Sequence, residues 1–362
     1  MARSLAAAGW VVGVASPRGR GLARVSRSVA RWHPSEPPQA GLDAFVATVG
    51  AAISHGRYDV VFPGGDAELL ALAYARDRLA AVVPYPAYES VERIVDKADV
   101  TRAAERAGIA TPRWHVRGDL DAFPLPAVVK ARRRWHPERS VPPERLHTVR
   151  VEDRDELGKR VAELRSAGAE PFVQEVISGD LVAYVVVLAP GGDVVAEFQQ
   201  RAEGVWPPGA GVSTRARRMP VDPRLSERLL RLLADIGWWG LVEAQFLVDR
   251  DGSPYLLDLN ARIYGSLALA CAAGSNLPAA WGAVALGDMP DPALGGRPAR
   301  YQWLEGDLRR ALVERRGGLV RDLASSTAFA FGATHSIISP RDPFPAAVAA
   351  WEVVRRVLGR SV

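Results

Sequence analysis

Hydrophobic and polar residues alternate along residues 240–262 with the two-residue period that is typical of β-strands. The alternation is interrupted at 249–254, where Asp, Gly and Pro favour a turn. Glu243 and Gln245 lie two positions apart, so we expect their side chains to point to the same side of the first strand. The neighbouring positions are apolar and are expected to face a core. The pattern therefore predicts a β-hairpin with one polar and one apolar face.

The polar face of this hairpin collects four side chains that carry oxygen atoms. A symmetric hairpin places Gln245 opposite Asp258. It also places Glu243 opposite Asn260, and Arg262 follows directly. Mg²⁺ prefers a few such oxygen ligands from protein, with substrate phosphates completing its shell. The face therefore suits a magnesium–phosphate site, but it equally suits a polar surface in water, and the spacing alone leaves both interpretations open.

The rest of the pattern predicts the α/β fold class, with two kinds of sheet. The first 95 residues alternate strand and helix as in a parallel α/β unit, and Asp66 is expected to cap one helix. This unit opens on a helix, so either the natural start lies upstream or the sheet lacks its first strand. Antiparallel strands follow from residue 172, and a loop is expected at 205–211. The predicted strands are 10–15, 59–62, 81–84, 126–130, 172–177, 181–188 and 194–200. The predicted helices are 43–55, 67–79, 97–107, 152–167, 223–236, 267–273, 307–315 and 346–358.

Length and composition indicate a globular protein of two or three subdomains. The chain has 362 residues, 48% hydrophobic and 24% charged, with a net charge of +5. Its basic residues are dispersed, which argues against a nucleic-acid partner and favours anionic substrates. No segment is long and apolar enough to span a membrane. The single cysteine, Cys271, excludes a disulfide framework and favours a reducing, cytoplasmic location.

Lysine is rare in this chain. There are 43 arginines but only three lysines, Lys97, Lys130 and Lys159. A lysine retained in such a composition is expected where a compact ammonium is needed and a planar guanidinium does not fit. Chance retention is the alternative.

The order of elements and three short motifs resemble the ATP-grasp superfamily. The motifs are Gln245-Phe246, Asp258-Leu-Asn-Ala-Arg262 and Tyr264-Gly-Ser266, and the similarity extends over about residues 10–290. The pattern looks closest to the carbamoyl-phosphate-synthetase-like branch. The resemblance implies an ATP-grasp fold of two α+β subdomains that grip ATP, preceded by a parallel pre-ATP-grasp domain. The implied parts are a pre-ATP-grasp domain at 1–95, a small lid subdomain at 96–170, a large metal-binding subdomain at 171–290 and a helical extension at 291–362.

The resemblance also implies a role for individual residues. Gln245, Asp258 and Asn260 would hold one or two Mg²⁺ ions, with Mn²⁺ as a substitute, and Glu243 would support them or bind the metal itself. Arg262 would stabilise the transferred phosphoryl group. The implied ATP contacts are Lys97, Lys130, the hinge residues Glu175, Val176 and Ile177, and Asp180 as the acid nearest the ribose position. The substrate contacts suggested around the subdomain seam are Arg201, Arg215, Tyr264, Gly265 and Ser266.

Three positions depart from the family pattern. Ala261 stands where a proline is usual, and Leu181 occupies the expected place of the ribose-binding acid. Arg132–Arg134 replace the Gly-rich phosphate loop, so arginines either clamp the phosphates instead or face solvent.

The function implied by the resemblance is ligation of a carboxylate to an amine. Such an enzyme, ADP-forming, would activate an amino acid or peptide-like acid as an acyl-phosphate and form an amide bond, and a homodimer is compatible with this activity. A protein that binds Mg·ATP but has lost catalysis is the first alternative. A basic nucleic-acid-binding protein is the second, and it rests on the pI alone.

Overall fold

The computed structural model describes residues 1–18, 21–116, 120–136, 147–209, 211–290 and 293–357. The chain begins with an α/β region whose elements are α1 (Ala2–Ala7), β1 (Gly13–Ser16), β2 (Arg31–Pro34), α2 (Leu42–Gly56), α3 (Asp66–Tyr74) and α4 (Tyr88–Val95). Strands β1 and β2 are parallel, as expected of a parallel α/β unit, although β2 itself was not predicted. The predicted strands 59–62 and 81–84 reduce to a single parallel bridge between Val60 and Val82. Pro63 follows the first segment and Pro84 ends the second. Neither proline has an N–H group that could extend the pairing.

A small antiparallel sheet forms the next layer. Its elements are α5 (Lys97–Arg106), β3 (Trp114–His115), β4 (Ala127–Ala131), β5 (Val149–Val151), α6 (Arg154–Ser166) and β6 (Pro171–Glu175), with strand order β3-β6-β4-β5. Helix α6 packs Leu157, Val161 and Leu164 against the buried side of β4, which gives the small sheet a core of its own.

A larger sheet carries the predicted hairpin. Its elements are β7 (Asp180–Leu188), β8 (Val194–Trp206), β9 (Val212–Met219), α7 (Pro223–Ile236), β10 (Gly240–Val248), β11 (Pro254–Asn260), α8 (Leu267–Ala272), α9 (Leu277–Ala285), β12 (Ala293–Leu294) and β13 (Arg300–Gln302). The order is β11-β10-β7-β8-β9-β13, and β12 pairs with β8. Helix α7 buries its leucines in the main core and ends at Gly237 with φ 76°, a left-handed cap that glycine adopts without strain.

The hairpin of β10 and β11 has the predicted pairs at its polar residues, whereas an irregularity between Gln245 and Phe246 shifts the register by one residue nearer the turn. Gln245 lies opposite Asp258, and Glu243 lies opposite Asn260. The turn contains Gly252 at φ 81°, the left-handed conformation that its Asp-Gly sequence favours. The alternation of polar and apolar residues predicted which side chains share a face of each strand, whereas the register shift was not predicted.

The C-terminal region adds helices α10 (Leu304–Glu314), α11 (Leu319–Ala330) and α12 (Phe344–Val357). Helix α10 packs on β8 and β9, so this region is joined to the large sheet. Asp342 accepts hydrogen bonds from Arg3 Nε at 2.8 Å and Ser26 Oγ at 2.6 Å, which fastens it to the N-terminal region as well. The predicted helix end at 358 lies outside the described residues. None of the described helices is long and apolar enough to cross a membrane.

Two further predictions, the loop at 205–211 and the helix cap at Asp66, need correction. The segment 205–211 is not wholly a loop, because β8 continues to Trp206 and pairs with β9, a strand that was not predicted. Asp66 does not cap α3, whose N-cap is Gly65 without a side-chain hydrogen bond. Because β6 belongs to the small sheet and β13 to the large one, we propose subdomain limits near residues 175 and 302 rather than 170 and 290.

Candidate active site

The two sheets meet at Lys97, Lys130 and Asp258. Lys97 is the first residue of α5, and Asp96 caps that helix by accepting from the N–H groups of Ala98 and Asp99. Lys130 lies near the end of β4 and donates to the carbonyl of Leu257 in the hairpin at 3.3 Å. The Lys97 ammonium is 3.9 Å from Oδ1 of Asp258. Two of the three lysines in the chain, Lys97 and Lys130, are therefore buried at the polar face of the hairpin.

Glu243 organises the amides of the hairpin. It is buried, and its Oε2 accepts from Asn260 Nδ2 at 2.8 Å and from Gln245 Nε2 at 3.1 Å. Burial raises the pKa of Glu243 to about 7, and these hydrogen bonds limit the rise. With both amide NH₂ groups turned to Glu243, the amide oxygens face away from it. This geometry favours Glu243 as the support of Gln245 and Asn260 rather than as a ligand.

Asp258 is the ionised acid of the site. Burial disfavours its charge, but Lys97 and Lys130, followed by Arg134 and Arg262, hold the pKa of Asp258 below its ordinary value. The carboxylate is therefore charged at neutral pH and is available as a hard oxygen ligand.

Arg262 is held on three sides. Its Nε donates to Asp66 Oδ1 at 2.7 Å, Nη1 donates to the carbonyl of Ile263 at 2.9 Å, and Nη2 donates to Asn260 Oδ1 at 3.1 Å. Burial would lower the pKa of Arg262, but the charge of Asp66 raises it above its ordinary value. The guanidinium thus stays charged beside the hairpin.

The donor set fits a Mg²⁺ ion carried by a nucleotide. Asp258 supplies a charged carboxylate, and Gln245 and Asn260 supply amide oxygens on the same face of the hairpin. Within the described residues there is no group of three or more His, Cys, Asp or Glu that could hold a metal by itself. A site with one carboxylate and two amides leaves most of an octahedral shell to phosphate oxygens and water, as Mg²⁺ prefers.

The arginine loop is only partly available to phosphates. Arg132 Nε and Arg133 Nε donate to the two oxygens of Asp96 at 2.8 and 2.6 Å, and Arg132 also bonds Glu170. These two arginines therefore anchor the start of α5 through ion pairs. Arg134 differs, because it is half-exposed and lies 3.7 Å from Asp66 on the side of Arg262.

The hinge expected to receive adenine follows β6. The carboxylate of Glu175 pairs with Arg113 at 3.2 Å, and its backbone N–H donates to the carbonyl of Arg113 at 2.8 Å, so both groups are already engaged. The N–H groups of Val176 and Ile177 have no hydrogen-bond partner among the described residues. Asp180 was expected near the ribose of ATP and Arg201 near the substrate. In the structure their exposed side chains form an ion pair at 2.6 Å, so each occupies the other's charged group.

The other residues predicted to contact the substrate are bonded to different parts of the chain. The Arg215 guanidinium bonds Asp307 at 2.7 Å, Ser325 at 3.2 Å and Ser326 at 2.9 Å, so it joins the C-terminal helices to β9 and we no longer propose that it grips substrate. Ser266 does not cap α8 through its side chain; its hydroxyl accepts from Gln200 at 2.6 Å. The carbonyl of Gly265 accepts from Ser336 at 2.7 Å.

Two buried polar atoms near this point lack partners. They are Tyr264 Oη and Gln200 Oε1, for which no hydrogen bond occurs within the described part of the chain. An unpaired buried polar group costs stability, so such atoms are candidates for contact with a ligand. Sequence reasoning missed Gln200, Asp66 and Arg134 as members of the site. The Gly-Gly-Asp turn before α3 was the available signal for Asp66, but it was interpreted as a helix cap.

We expect nucleotide affinity to fall as pH rises through about 8. Burial lowers the pKa of Lys130 to about 8, opposed by Asp258. Above that pH the ammonium loses its proton and therefore its attraction for phosphate. Titration calorimetry with Mg·ADP from pH 6.5 to 9.5 measures this, and the Lys130→Met variant should bind weakly at every pH with a flatter profile. Lys159→Met, which alters an exposed lysine on α6, is the matched control, and the same flattening in both variants would contradict the assignment.

Comparison with known proteins agrees with this geometry. Residues 209–306 match a family described as an ATP-grasp in the biosynthetic pathway with Ter operon. No curated protein sequence matches the chain significantly.

Solved structures share the fold at low sequence identity. N5-carboxyaminoimidazole synthetase from Staphylococcus aureus complexed with ADP has a TM-score of 0.63 and 14% identity, over 83% of this chain and 78% of that one. L-amino acid ligase from Bacillus licheniformis has a TM-score of 0.56 and 18% identity, over 73% and 64%. The biotin carboxylase domain of Hydrogenobacter thermophilus 2-oxoglutarate carboxylase, bound to MgADP, ADP and bicarbonate, has a TM-score of 0.61 and 13% identity, over 80% and 67%.

The chain thus spans about two thirds of the ligase and of the carboxylase domain and more of the synthetase. The family match at residues 209–306 includes the hairpin, and the solved structures share the overall fold. This chain therefore has an ATP-grasp fold.

Proposed function

We propose that this protein is an ATP-dependent ligase that activates a carboxylate as an acyl-phosphate and joins it to an amine. One observation carries the proposal. Lys97 at the start of α5 and Lys130 in the small sheet both point at the face of the large sheet that carries Asp258. Arg262 borders the same face. Phosphoryl transfer requires this concentration of cations around the phosphate oxygens.

Each part of the site has a role in this proposal. Asp258, Gln245 and Asn260 hold Mg²⁺, which neutralises phosphate charge when it is bound. Lys97 and Lys130 bind phosphate oxygens, and Arg262 stabilises the phosphoryl group as it transfers. The backbone of Val176 and Ile177 bonds the adenine.

The reaction takes place in two balanced steps. A carboxylate oxygen of the acid attacks the γ-phosphorus, a new P–O bond forms, and the bond to ADP breaks. An uncharged amine then attacks the acyl carbon, the C–O bond to phosphate breaks, and phosphate leaves as the amine loses a proton. The covalent intermediate divides one difficult condensation into two easier steps.

The compared proteins support the class of reaction. One is named an L-amino acid ligase, and two are structures with bound ADP. We therefore propose an amino acid or a peptide-like acid as the substrate, with a small amine or amino acid as the acceptor. A homodimer and a cytoplasmic location remain predictions.

The proposal predicts that ADP and phosphate form only when a suitable acid and amine are both present with Mg·ATP. A phosphate-release screen of amino acids in pairs, followed by chromatography of the nucleotides, measures this. Asn260→Ala should lose turnover because it removes an oxygen ligand that Glu243 and Arg262 hold in place. AMP and pyrophosphate as products would contradict the mechanism. Binding of Mg·ATP without turnover on any pair would favour the alternative of a protein that has lost catalysis.

A further inference from the structure

We propose that Asp66, in the N-terminal α/β region, is a positioning residue that aims Arg262 at the reacting phosphoryl group. This inference rests on the proposed function. It adds a third part of the chain to a site that the two sheets were expected to form by themselves. Asp66 and Arg262 are 196 positions apart in sequence, yet their side chains are 2.7 Å apart.

The hydrogen bonds of Arg262 define which part of its guanidinium is available. Asp66 takes the Nε–H, the Ile263 carbonyl takes one hydrogen of Nη1, and Asn260 takes one hydrogen of Nη2. A guanidinium has five N–H bonds, so one remains on each terminal nitrogen. Neither has a partner in the described part of the chain. The terminal N–H groups of a guanidinium can bind two oxygens of a phosphoryl or carboxylate group.

Asp66 also meets a second arginine. Its Oδ2 lies 3.7 Å from Arg134, in the segment that leaves β4 after Ala131. Without a carboxylate between them, the like charges of Arg134 and Arg262 would repel each other. The same carboxylate therefore connects one arginine from the side of the small sheet with one from the hairpin of the large sheet.

The surroundings of Asp66 separate this role from a purely structural one. Asp66 lies in the first turn of α3, where a negative charge is favoured by the helix dipole. The helix is held by Leu69, Leu70 and Leu72, which are buried in the main core. Loss of the Asp66 carboxylate therefore leaves the packing of α3 in place. The other acid nearby is Glu68, and burial raises the pKa of its carboxyl group.

A double-mutant cycle on turnover tests the proposal. The variants are Asp66→Asn, Arg262→Lys and the double variant, assayed with the acid and amine that give the highest ADP release in the wild type. Asp66→Asn should lower kcat roughly 10–100-fold, the range seen when a group that orients an active-site residue is removed, and leave KM for ATP little changed. Arg262→Lys should lower kcat at least as much, because lysine lacks the planar fork. The double variant should lose nothing further, since Asp66 acts through Arg262.

Asp43→Asn is the matched control. Asp43 is the first-turn acid of α2, and it pairs with Arg78 at 2.8 Å on the surface of the same region. Its kcat and thermal midpoint should equal those of the wild type. Asp66→Glu keeps the negative charge and should recover part of the lost kcat, which gives a second measurement if Asp66→Asn folds poorly.

The outcomes separate this inference from the proposed function. If the wild type shows no turnover on any pair, the proposed function fails and this inference fails with it. If the wild type turns over and Asp66→Asn matches Asp43→Asn, only the inference is overturned. Losses in Asp66→Asn and Arg262→Lys that multiply in the double variant would also overturn it, because they would show that the two side chains act independently.

Discussion

Replacement of Asp258 by asparagine is expected to abolish ADP formation while the fold stays intact. Asp258 is the ionised carboxylate among the three proposed metal ligands, and Lys97 and Lys130 keep it charged. Asparagine has nearly the same shape but no charge, so it removes the strongest attraction for Mg²⁺ without disturbing the strand. We expect a loss of at least roughly 10²–10³-fold in kcat, comparable to removal of an essential transition-state contact. The measurement is ADP release under saturating Mg·ATP, with circular dichroism as the test of folding.

Asp251→Asn provides the control for this variant. Asp251 is an exposed acid in the turn of the same hairpin, and it contributes its backbone N–H rather than its carboxylate to the turn. It should retain wild-type turnover. Wild-type turnover by Asp258→Asn would mean that the metal site lies elsewhere.

Replacement of Arg310 by methionine is expected to destabilise the whole chain by about 3–5 kcal/mol, the usual effect of breaking a buried ion pair on one side. Arg310 is fully buried in α10, and its guanidinium bonds Asp307 at 2.9 Å and Asp322 at 2.8 Å. Methionine fills much of the same volume, but it leaves Asp322 buried without its charge partner. Chemical denaturation followed by tryptophan fluorescence measures the change in the free energy of unfolding.

Arg309→Met, one position earlier, is the control. It separates the effect of losing a buried ion pair from the effect of methionine on helix propensity. Arg309 lies on the same helix and pairs with Glu305 on the surface, where such a pair contributes about 0–1 kcal/mol. It should have little effect. If Arg310→Met instead melted a C-terminal unit in a separate early transition, α10 and α11 would be an appendage rather than part of the large sheet's body.

The hairpin could be predicted from sequence because all of its determinants are local. The two-residue alternation assigned Glu243 and Gln245 to one face, and the Asp-Gly turn indicated where the two strands join. The pairs of Gln245 with Asp258 and Glu243 with Asn260 are confirmed, although a register shift separates them from the turn. The lysines were identifiable for a different reason. In a chain with 43 arginines, a lysine is conspicuous, and two of the three lie at this face.

Contacts between distant parts of the chain could not be predicted in this way. Asp66 was assigned to its own helix because a helix start offers a local partner for an acid, whereas Arg262 is far away in sequence. Arg132 and Arg133 follow a strand, and nothing local indicates that Asp96 binds them both. Strand β9 was missed because its alternation is carried by arginines, among them Arg215, which bonds the C-terminal helices rather than solvent or substrate.

The central claim is that a carboxylate oxygen attacks ATP in this site and leaves with phosphate. Transfer of ¹⁸O from a labelled acid tests it most directly, with the acid and amine identified in the phosphate-release screen and mass spectrometry of the products. One ¹⁸O atom from the carboxylate is expected in each phosphate released, and none in ADP. Label recovered in AMP, or phosphate without label, would contradict it.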